Sequence, residues 1–207
     1  QNQIGKTTKP LFKTMMVDFL NYGAAAQTYF SYNTNDLANA NIAEHQDVAT
    51  PERTYVDSKA GTEETSYAID FTNFNLEYVN KINIAVVTKT SISDEKLAEM
   101  KESWYAIASY TDFNGVAQSV RLDLSNEANF GKVSGYWAVM FNGLASKEMS
   151  IPVTVTLYDG DGVQQSNSAT YSIETYAAGK VNGTNVKLAN LAKSMMKFGD
   201  GAAAYFA

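Results

Sequence analysis

Two tryptophans and their tyrosine neighbours are the residues of this sequence best suited to hold a ligand. Trp104 stands beside Tyr105 in a predicted strand that also carries Tyr110, and Trp137 follows Tyr136. Sugar rings stack on exposed aromatic faces, while nearby amides and carboxylates bond their hydroxyl groups. Strand side chains alternate between two faces, so one residue of each adjacent pair points inward. We name Trp104, Tyr110, Tyr136 and Trp137 as candidate sugar-binding residues, with burial of both tryptophans in a core as the alternative.

A second candidate site is formed by the carboxylates of the turn within residues 158–163. The Asp-Gly sequence supplies the positive φ that a tight hairpin turn needs. Asp159 and Asp161, together with the Asn-rich segment after residue 32, offer the hard oxygen ligands that Ca²⁺ prefers. The turn lacks the downstream bidentate glutamate of an EF-hand loop. We expect no cofactor other than a structural Ca²⁺ at Asp159 and Asp161.

Groups for catalysis are sparse. His45 is the only histidine and cysteine is absent, which excludes paired-histidine and thiolate sites within this chain. No nucleophile-elbow sequence accompanies His45. Two carboxylates can hydrolyse glycosides, but the candidate pairs are adjacent or within one turn, and none is flanked by aromatics that would form a sugar cleft. These pairs are Asp94/Glu95, Glu63/Glu64 and Asp159/Asp161. We predict that the protein is not an enzyme.

The composition limits the class of partner. Hydrophobic residues at 45% and charged residues at 18% are typical of a globular chain. A net charge of −6 argues against nucleic acid, whose phosphates require a basic surface. No apolar run reaches the length of a membrane span, so we expect no membrane insertion. The abundance of Tyr, Asn, Thr and Ser suits an extracellular or cell-surface protein.

One helical segment occurs twice, and it indicates how the chain is organised. Residues 12–30 and 188–206 align without a gap at an offset of 176, and both contain an aromatic-Gly pair and end in Tyr-Phe. Steps of three and four residues place the apolar positions of each copy on one helical face. Similarity at a fixed period is the signature of a repeat array. The alternative is two unrelated amphipathic helices of Ala-rich composition.

If the copies are equivalent, matching residues should have matching surroundings. We expect Phe12, Met15, Phe19 and Tyr22 to pack in an environment like that of their counterparts. The counterparts are Leu188, Leu191, Met195 and Phe198. The apolar face of the first helix should lean on the β-sandwich predicted between the helices or on the second helix.

Between the two helices the sequence predicts a succession of short strands. Short runs of alternating hydrophobicity end in turn signals, including runs at 103–112, 117–124 and 169–176, while 93–100 fits a short helix or a polar loop. This predicts a mainly β chain: an antiparallel β-sandwich of about seven to nine strands, flanked by an N-terminal and a C-terminal amphipathic α-helix. The predicted segments are a linker (1–9), the first helix with its Asn-rich loop (10–49), the sandwich (50–178), and a hinge with the second helix (179–207). Segment 10–49 is interpreted as the end of a preceding repeat.

Several runs together resemble one family of modules. They are 20–30, 33–40, 135–137, 143–149, 158–162 and 176–177. The chain resembles a non-catalytic module of large secreted or cell-surface scaffold and polysaccharide-adherence proteins of gut clostridia and ruminococci, of the cellulosome or amylosome type. The resemblance covers most of the chain but supplies no set of binding residues.

Two functions follow from the residues and the resemblance. The first is polysaccharide binding, to starch or a plant glycan, at the bacterial surface through exposed aromatic side chains. The alternative is a structural spacer or protein-adhesion repeat with no glycan binding. The expected partners are a polysaccharide or a surface protein, and neighbouring modules of the same chain.

Overall fold

The computed structural model describes residues 4–63, 65–79 and 81–207. Two compact units are present. The helical unit contains residues 4–56, Leu144–Ser150 and Ala177–Ala207, and the sheet unit contains the described residues of Asp57–Gly143 and Ile151–Tyr176. Residues 1–3 of the predicted linker, and Glu64 of one candidate carboxylate pair, lie outside the described residues.

Helices and strands both contribute to the fold. The α-helices are α1 (Pro10–Phe30), α2 (Asp94–Ser103), α3 (Ile173–Ala178) and α4 (Val186–Phe206). The strands are β1 (Phe71–Val79), β2 (Lys81–Thr88), β3 (Tyr105–Thr111), β4 (Ala117–Asp123), β5 (Phe130–Val133), β6 (Tyr136–Phe141), β7 (Val153–Tyr158) and β8 (Ala169–Tyr171). Short 3₁₀ helices span Ala43–Val48 and Ser146–Glu148.

The strands form two four-stranded sheets, ordered β1-β2-β6-β5 and β4-β3-β7-β8. Each ladder between neighbouring strands is antiparallel. This confirms the antiparallel sheets and the helices of the fold prediction. Helix makes up 34% of the chain and strand 25%, so the structure combines both and is not clearly mainly β.

Aromatic contacts join the two sheets within the sheet unit. Phe74 of β1 stacks on Tyr171 of β8 with ring centroids 4.1 Å apart, and Tyr110 of β3 tilts against Phe141 of β6 at 5.6 Å. Apolar side chains are buried along the facing strands. A smaller cluster contains Ala85, Val87, Val133, Ala138 and Met140. Burial of this apolar area is the main favourable contribution to the stability of the unit.

Serine side chains cap the starts of two helices, one where the sequence allowed a helix or a loop and one where it predicted a strand. Ser93 accepts a hydrogen bond from the Lys96 amide at 3.2 Å, so α2 is a helix and not a polar loop. The strand predicted over 169–176 is wrong beyond Tyr171. Ser172 accepts a hydrogen bond from the Thr175 amide at 3.0 Å and starts α3, because its side chain satisfies an N–H that a helix start leaves unpaired.

In the helical unit, α1 and α4 have equivalent bounds and pack against each other. Both are 21 residues long, and both ends are offset by 176 positions. The pair is antiparallel: the ring centroids of Phe12 and Tyr205 are 5.5 Å apart, and those of Phe19 and Phe198 are 5.2 Å apart. The first helix therefore leans on the second helix.

The expectation of matching surroundings is wrong for part of the repeated face. Phe19 is 47% exposed, whereas its counterpart Met195 is fully buried. A Cβ on Gly199 would meet the Ser146 carbonyl oxygen at 3.1 Å, so the 3₁₀ segment covers α4 there. A Cβ on the equivalent Gly23 would meet Ala38 instead, also at 3.1 Å. The same helical sequence is thus covered by different segments.

The residues before α1 differ from the predicted polar linker. Ile4 is 2% exposed and packs in a small core with Val17 and Ile42. A buried isoleucine contributes about 1.5–3 kcal/mol relative to an exposed one, which fixes this segment on the helical unit.

A buried carboxylate lies where the two long helices meet. Asp18 of α1 is 1% exposed and accepts hydrogen bonds from the Thr50 amide at 3.1 Å and from the Thr50 hydroxyl at 2.6 Å. Burial raises the Asp18 pKa, and the bonds from Thr50 oppose that rise. Gly201 of α4 makes the close approach possible, since a Cβ there would lie 2.8 Å from the carboxylate and 3.2 Å from the Met15 Cα.

We expect Gly201→Leu to destabilise the protein by about 1–3 kcal/mol, because the side chain would overlap a buried carboxylate and a helix backbone. Ala204→Leu, at an exposed position three residues further along α4, is the matched control and should leave stability nearly unchanged. Urea denaturation of both variants measures the difference. Equal effects would show that α1 and α4 do not pack tightly at Gly201.

Thr50→Val should cost about 1.5–3 kcal/mol at pH 7, because the buried Asp18 carboxyl group loses a hydroxyl donor. Because the folded pKa of Asp18 is raised, the charged form is the less favourable one, and protonation as pH falls toward about 4 removes the need for that donor. The cost of Thr50→Val should therefore shrink at acid pH. Denaturation at pH 7 and pH 4, with Thr54→Val as an exposed control, tests this; a cost independent of pH would contradict it.

Candidate functional site

Trp104 lies at the junction of α2 and β3, with its side chain inside. It is 2% exposed, and its Nε1–H donates a hydrogen bond to Glu99 Oε1 at 3.1 Å. The Lys96 ammonium lies 5.0 Å from the ring centroid. A sugar cannot stack on a ring covered in this way. The surroundings of Trp104 match the alternative in which the residue belongs to the core.

Tyr136 and Trp137 lie together at the start of β6. Tyr136 is 48% exposed and follows a tight turn in which Ser134 and Gly135 both have positive φ. The half-buried Trp137 ring stacks on Phe130 with centroids 5.0 Å apart. Two ammonium groups, those of Lys101 and Lys132, lie 5.3 and 5.4 Å from its centroid. Tyr136 is therefore the more accessible of the two rings.

Tyr110 lies far from that pair. It packs on Phe141, whereas Tyr136 is five residues away at the other end of the same strand. Five residues of strand span roughly 17 Å. The structure thus brings Tyr136 and Trp137 together but does not bring all four predicted residues into one exposed cluster.

A different aromatic row crosses the second sheet. The Arg121 guanidinium carbon lies 3.5 Å from the Tyr105 ring centroid, and Tyr105 stacks on Tyr158 with centroids 5.5 Å apart and ring planes 17° apart. Tyr105 pairs in register with both Asp123 and Tyr158. Arg121 Nε also donates to Asp123 Oδ1 at 2.7 Å. We call Arg121, Asp123, Tyr105 and Tyr158 the arginine–tyrosine row.

The row presents polar groups on a half-open face. Arg121 and Asp123 are exposed, and both tyrosines are half-buried. Tyr158 also pairs with Gln164, which adds a carboxamide beyond the row. Neighbouring strands are about 4.8 Å apart, so the line from Asp123 to Gln164 is roughly 14 Å long. Phenol, guanidinium, carboxylate and amide groups can together donate to and accept from a series of hydroxyl groups.

The sequence contained part of the signal for this row. Strand alternation assigns opposite faces to Trp104 and Tyr105, and the structure places Trp104 inside. The outward residue is therefore Tyr105. Its pairing with Tyr158 depends on β3 and β7 being neighbours in register, which alternation within one strand does not reveal.

The two carboxylates proposed for calcium lie in a turn stabilised by hydrogen bonds. Asp159 Oδ1 accepts from the amides of Asp161 and Val163 at 3.0 and 2.9 Å, and Oδ2 accepts from Gln165 Nε2 at 2.6 Å. The backbone hydrogen bond from Val163 is the largest cause that lowers the Asp159 pKa. In the described part of the chain, no group of three or more His, Cys, Asp or Glu is placed to hold a metal ion.

The same turn occurs a second time. Asp112 Oδ1 accepts from the amides of Asn114 and Val116, each at 2.9 Å, and Oδ2 accepts from Gln118 Nε2 at 2.7 Å. The glycines that close the turns, at 115 and 162, have φ of +79° and +83°. The shared sequence is Asp-x-Asx-Gly-Val-x-Gln. This pattern could be read from the sequence, and it assigns Asp159 to turn formation.

His45 is placed in the helical unit, on the 3₁₀ segment Ala43–Val48, with its Nε2 3.2 Å from Glu44 Oε1. None of the helices in the described ranges combines the length and hydropathy needed to cross a membrane.

Comparison with protein-family models, with curated proteins and with solved structures finds no match for this chain.

Asp159→Ala should lower the melting temperature more than Asp161→Ala, because it removes the acceptor of three hydrogen bonds within the turn. Since the folded pKa of Asp159 is lowered, its contribution is present at neutral pH and is lost as pH falls below about 4. Thermal denaturation at pH 7 and pH 3 measures both effects. A Ca²⁺-dependent rise in melting temperature that Asp159→Ala abolishes would instead assign this turn to a metal.

Proposed function

We propose that this protein is a non-catalytic extracellular module that binds polysaccharide, starch or a plant glycan, at the bacterial surface. The observation that carries the proposal is the arginine–tyrosine row on the second sheet. This surface replaces the buried Trp104 as the main candidate contact, and Tyr136 with Trp137 remains a second one.

The fold supports an open binding face. We take the two antiparallel sheets as the layers of a β-sandwich, because Phe74 contacts Tyr171 and Tyr110 contacts Phe141 across them. In such a sandwich the side chains that alternate away from the core face solvent. Tyr105 and Arg121 occupy outward positions of this kind, so a long polymer can lie across them without entering a closed pocket.

The chemistry of the row suits hydroxyl groups more than charged groups. Arg121 is bonded to Asp123, so the positive and negative charges are already matched. The tyrosine rings stack on each other, and both side chains remain partly exposed. A neutral glycan offers donors and acceptors in sequence along its length, which fits a row of about 14 Å.

The absence of catalysis is part of the proposal. Asp159 is used in turn formation, and His45 is beside Glu44 on a short 3₁₀ segment. The resemblance to modules of secreted scaffold and polysaccharide-adherence proteins favours the same assignment, including the extracellular location.

A second candidate function is a structural spacer or protein-adhesion repeat. The observation in its favour is the helix pair: α1 and α4 have the same length and the same offset at both ends. A helix that recurs at a fixed period fits a chain of linked modules.

Affinity electrophoresis in gels containing starch, xylan or soluble cellulose tests the glycan proposal. We expect retardation by at least one glycan, and about tenfold weaker binding for Tyr158→Ala and Tyr105→Ala, since each removes a hydroxyl group and a stacked ring. Tyr67→Ala is the matched control, because Tyr67 is 42% exposed and lies outside the row. Tyr136→Ala shows whether the second surface takes part.

Two results would change the conclusion. Unretarded migration in all three gels would overturn binding to these glycans and favour the spacer. Retardation that persists in Tyr105→Ala and Tyr158→Ala but is lost in Tyr136→Ala would move the site to β6. Melting temperatures of each variant separate loss of binding from loss of folding.

A further inference from the structure

A polar cavity of about 460 Å³ lies in the helical unit, along the groove between α1 and α4. Asn21, Ala24 and Thr28 of α1 line one wall, and Lys187, Ser194 and Lys197 of α4 line the other. The loop after α1 completes the lining, and its Asn39 and Gln46 are hydrogen-bonded to Asn21. Its volume is within the range of about 300–1,000 Å³ found for ligand pockets. No carboxylate is among the residues that line it.

Beyond Lys197 along α4, the groove between the helices is occupied by the chain itself. Residues 50–53 have no regular secondary structure and bond to both helices. Thr50 donates to Asp18, Glu52 pairs with Lys197 at 2.9 Å, and Arg53 pairs with Asp200 at 2.7 Å. We call this the filled end of the groove and the cavity the open end.

The two ends are equivalent in sequence position. The offset of 176 relates Asp18 to Ser194, Asn21 to Lys197, and Ala24 to Asp200. The three residues that bind the segment 50–53 at the filled end therefore have their counterparts in the wall of the open end. Because the helices are antiparallel, exchanging them converts one end of the groove into the other. The open end is therefore equivalent to the part of the groove that holds the extended segment 50–53.

The residues at the open end favour a ligand whose charge differs from that of the segment bound at the filled end. Where the filled end has the carboxylates of Asp18 and Asp200, the open end has the hydroxyl of Ser194 and the methyl group of Ala24. An arginine such as Arg53 would find no anion there. Lys187 brings a positive charge in place of its counterpart Leu11. Lys197 is already paired with Glu52, so Lys187 is the main cation available to a ligand.

We infer that the open end binds an extended acidic peptide segment of a partner protein. A glutamate or aspartate of that segment meets Lys187, which has no charged counterpart at the filled end because the equivalent residue there is Leu11. The Ser194 hydroxyl, at the position equivalent to Asp18, bonds the peptide backbone as Asp18 bonds the Thr50 amide. The site lies in the helical unit and is independent of the glycan-binding row.

The probe is a labelled peptide with the sequence of residues 48–55 carrying Arg53→Glu, and the unchanged sequence is its matched comparison. Fluorescence anisotropy with the full chain should give at least fivefold tighter binding of the acidic peptide. Lys187→Glu should weaken that binding at least fivefold, while Lys187→Arg retains it. Lys9→Glu, an equal charge change at the exposed N-cap of α1, should have no effect.

Three results would overturn the inference. They are no binding of the acidic peptide at millimolar concentration, equal binding of the two peptides, and binding insensitive to Lys187→Glu. An oligogalacturonate that binds in a Lys187-dependent manner while the peptide does not would assign the cavity to an acidic sugar instead. Lys187 is exposed, so its variants are expected to fold, and their melting temperatures verify this.

Discussion

The alternation of side chains along β3 is the constraint on which the sheet unit depends. Ala106 and Ala108 are fully buried, and Trp104 just before the strand is buried with them. Tyr105, between two buried neighbours, must then face away from the core. A shift of one residue would bury Tyr105 and expose Trp104, so the buried alanines fix the register of the strand. The same constraint aligns Tyr105 with Tyr158 on the neighbouring strand and creates the arginine–tyrosine row.

Local patterns revealed much of the fold but less of the candidate site. Hydrophobic periodicity located α1, α4 and most strands, because these patterns reflect a face that must be buried. It failed at Ile173–Ala178, where the capping hydrogen bond to Ser172 outweighs strand-like alternation. The row could not be predicted in the same way. It joins Arg121, Tyr105 and Tyr158 through the order and register of three strands, which depend on contacts distant in sequence.

The repeated helix shows how tertiary context separates two similar sequences. Gly23 and Gly199 occupy matching positions, yet one faces Ala38 and the other faces the carbonyl of Ser146. Met195 is fully buried while Phe19 is nearly half exposed. Two sequence differences between the copies accompany this difference in surroundings. Asp18 is replaced by Ser194 in the second copy, and Ala24 is replaced by Asp200. As a result, two carboxylates lie at the filled end and none is in the lining of the open end.

The paired Asp-x-Asx-Gly-Val-x-Gln turns also bear on the order in which the sheet forms. Each turn closes through hydrogen bonds within seven residues, from Asp112 to Gln118 and from Asp159 to Gln165. Closing so short a loop has a small entropic cost and takes well under a microsecond, and a hairpin follows within about 1–10 μs. The pairing of β3 with β7 joins strands that are much further apart along the chain. The two turns therefore favour a folding route in which hairpins form locally first and their edges join afterwards.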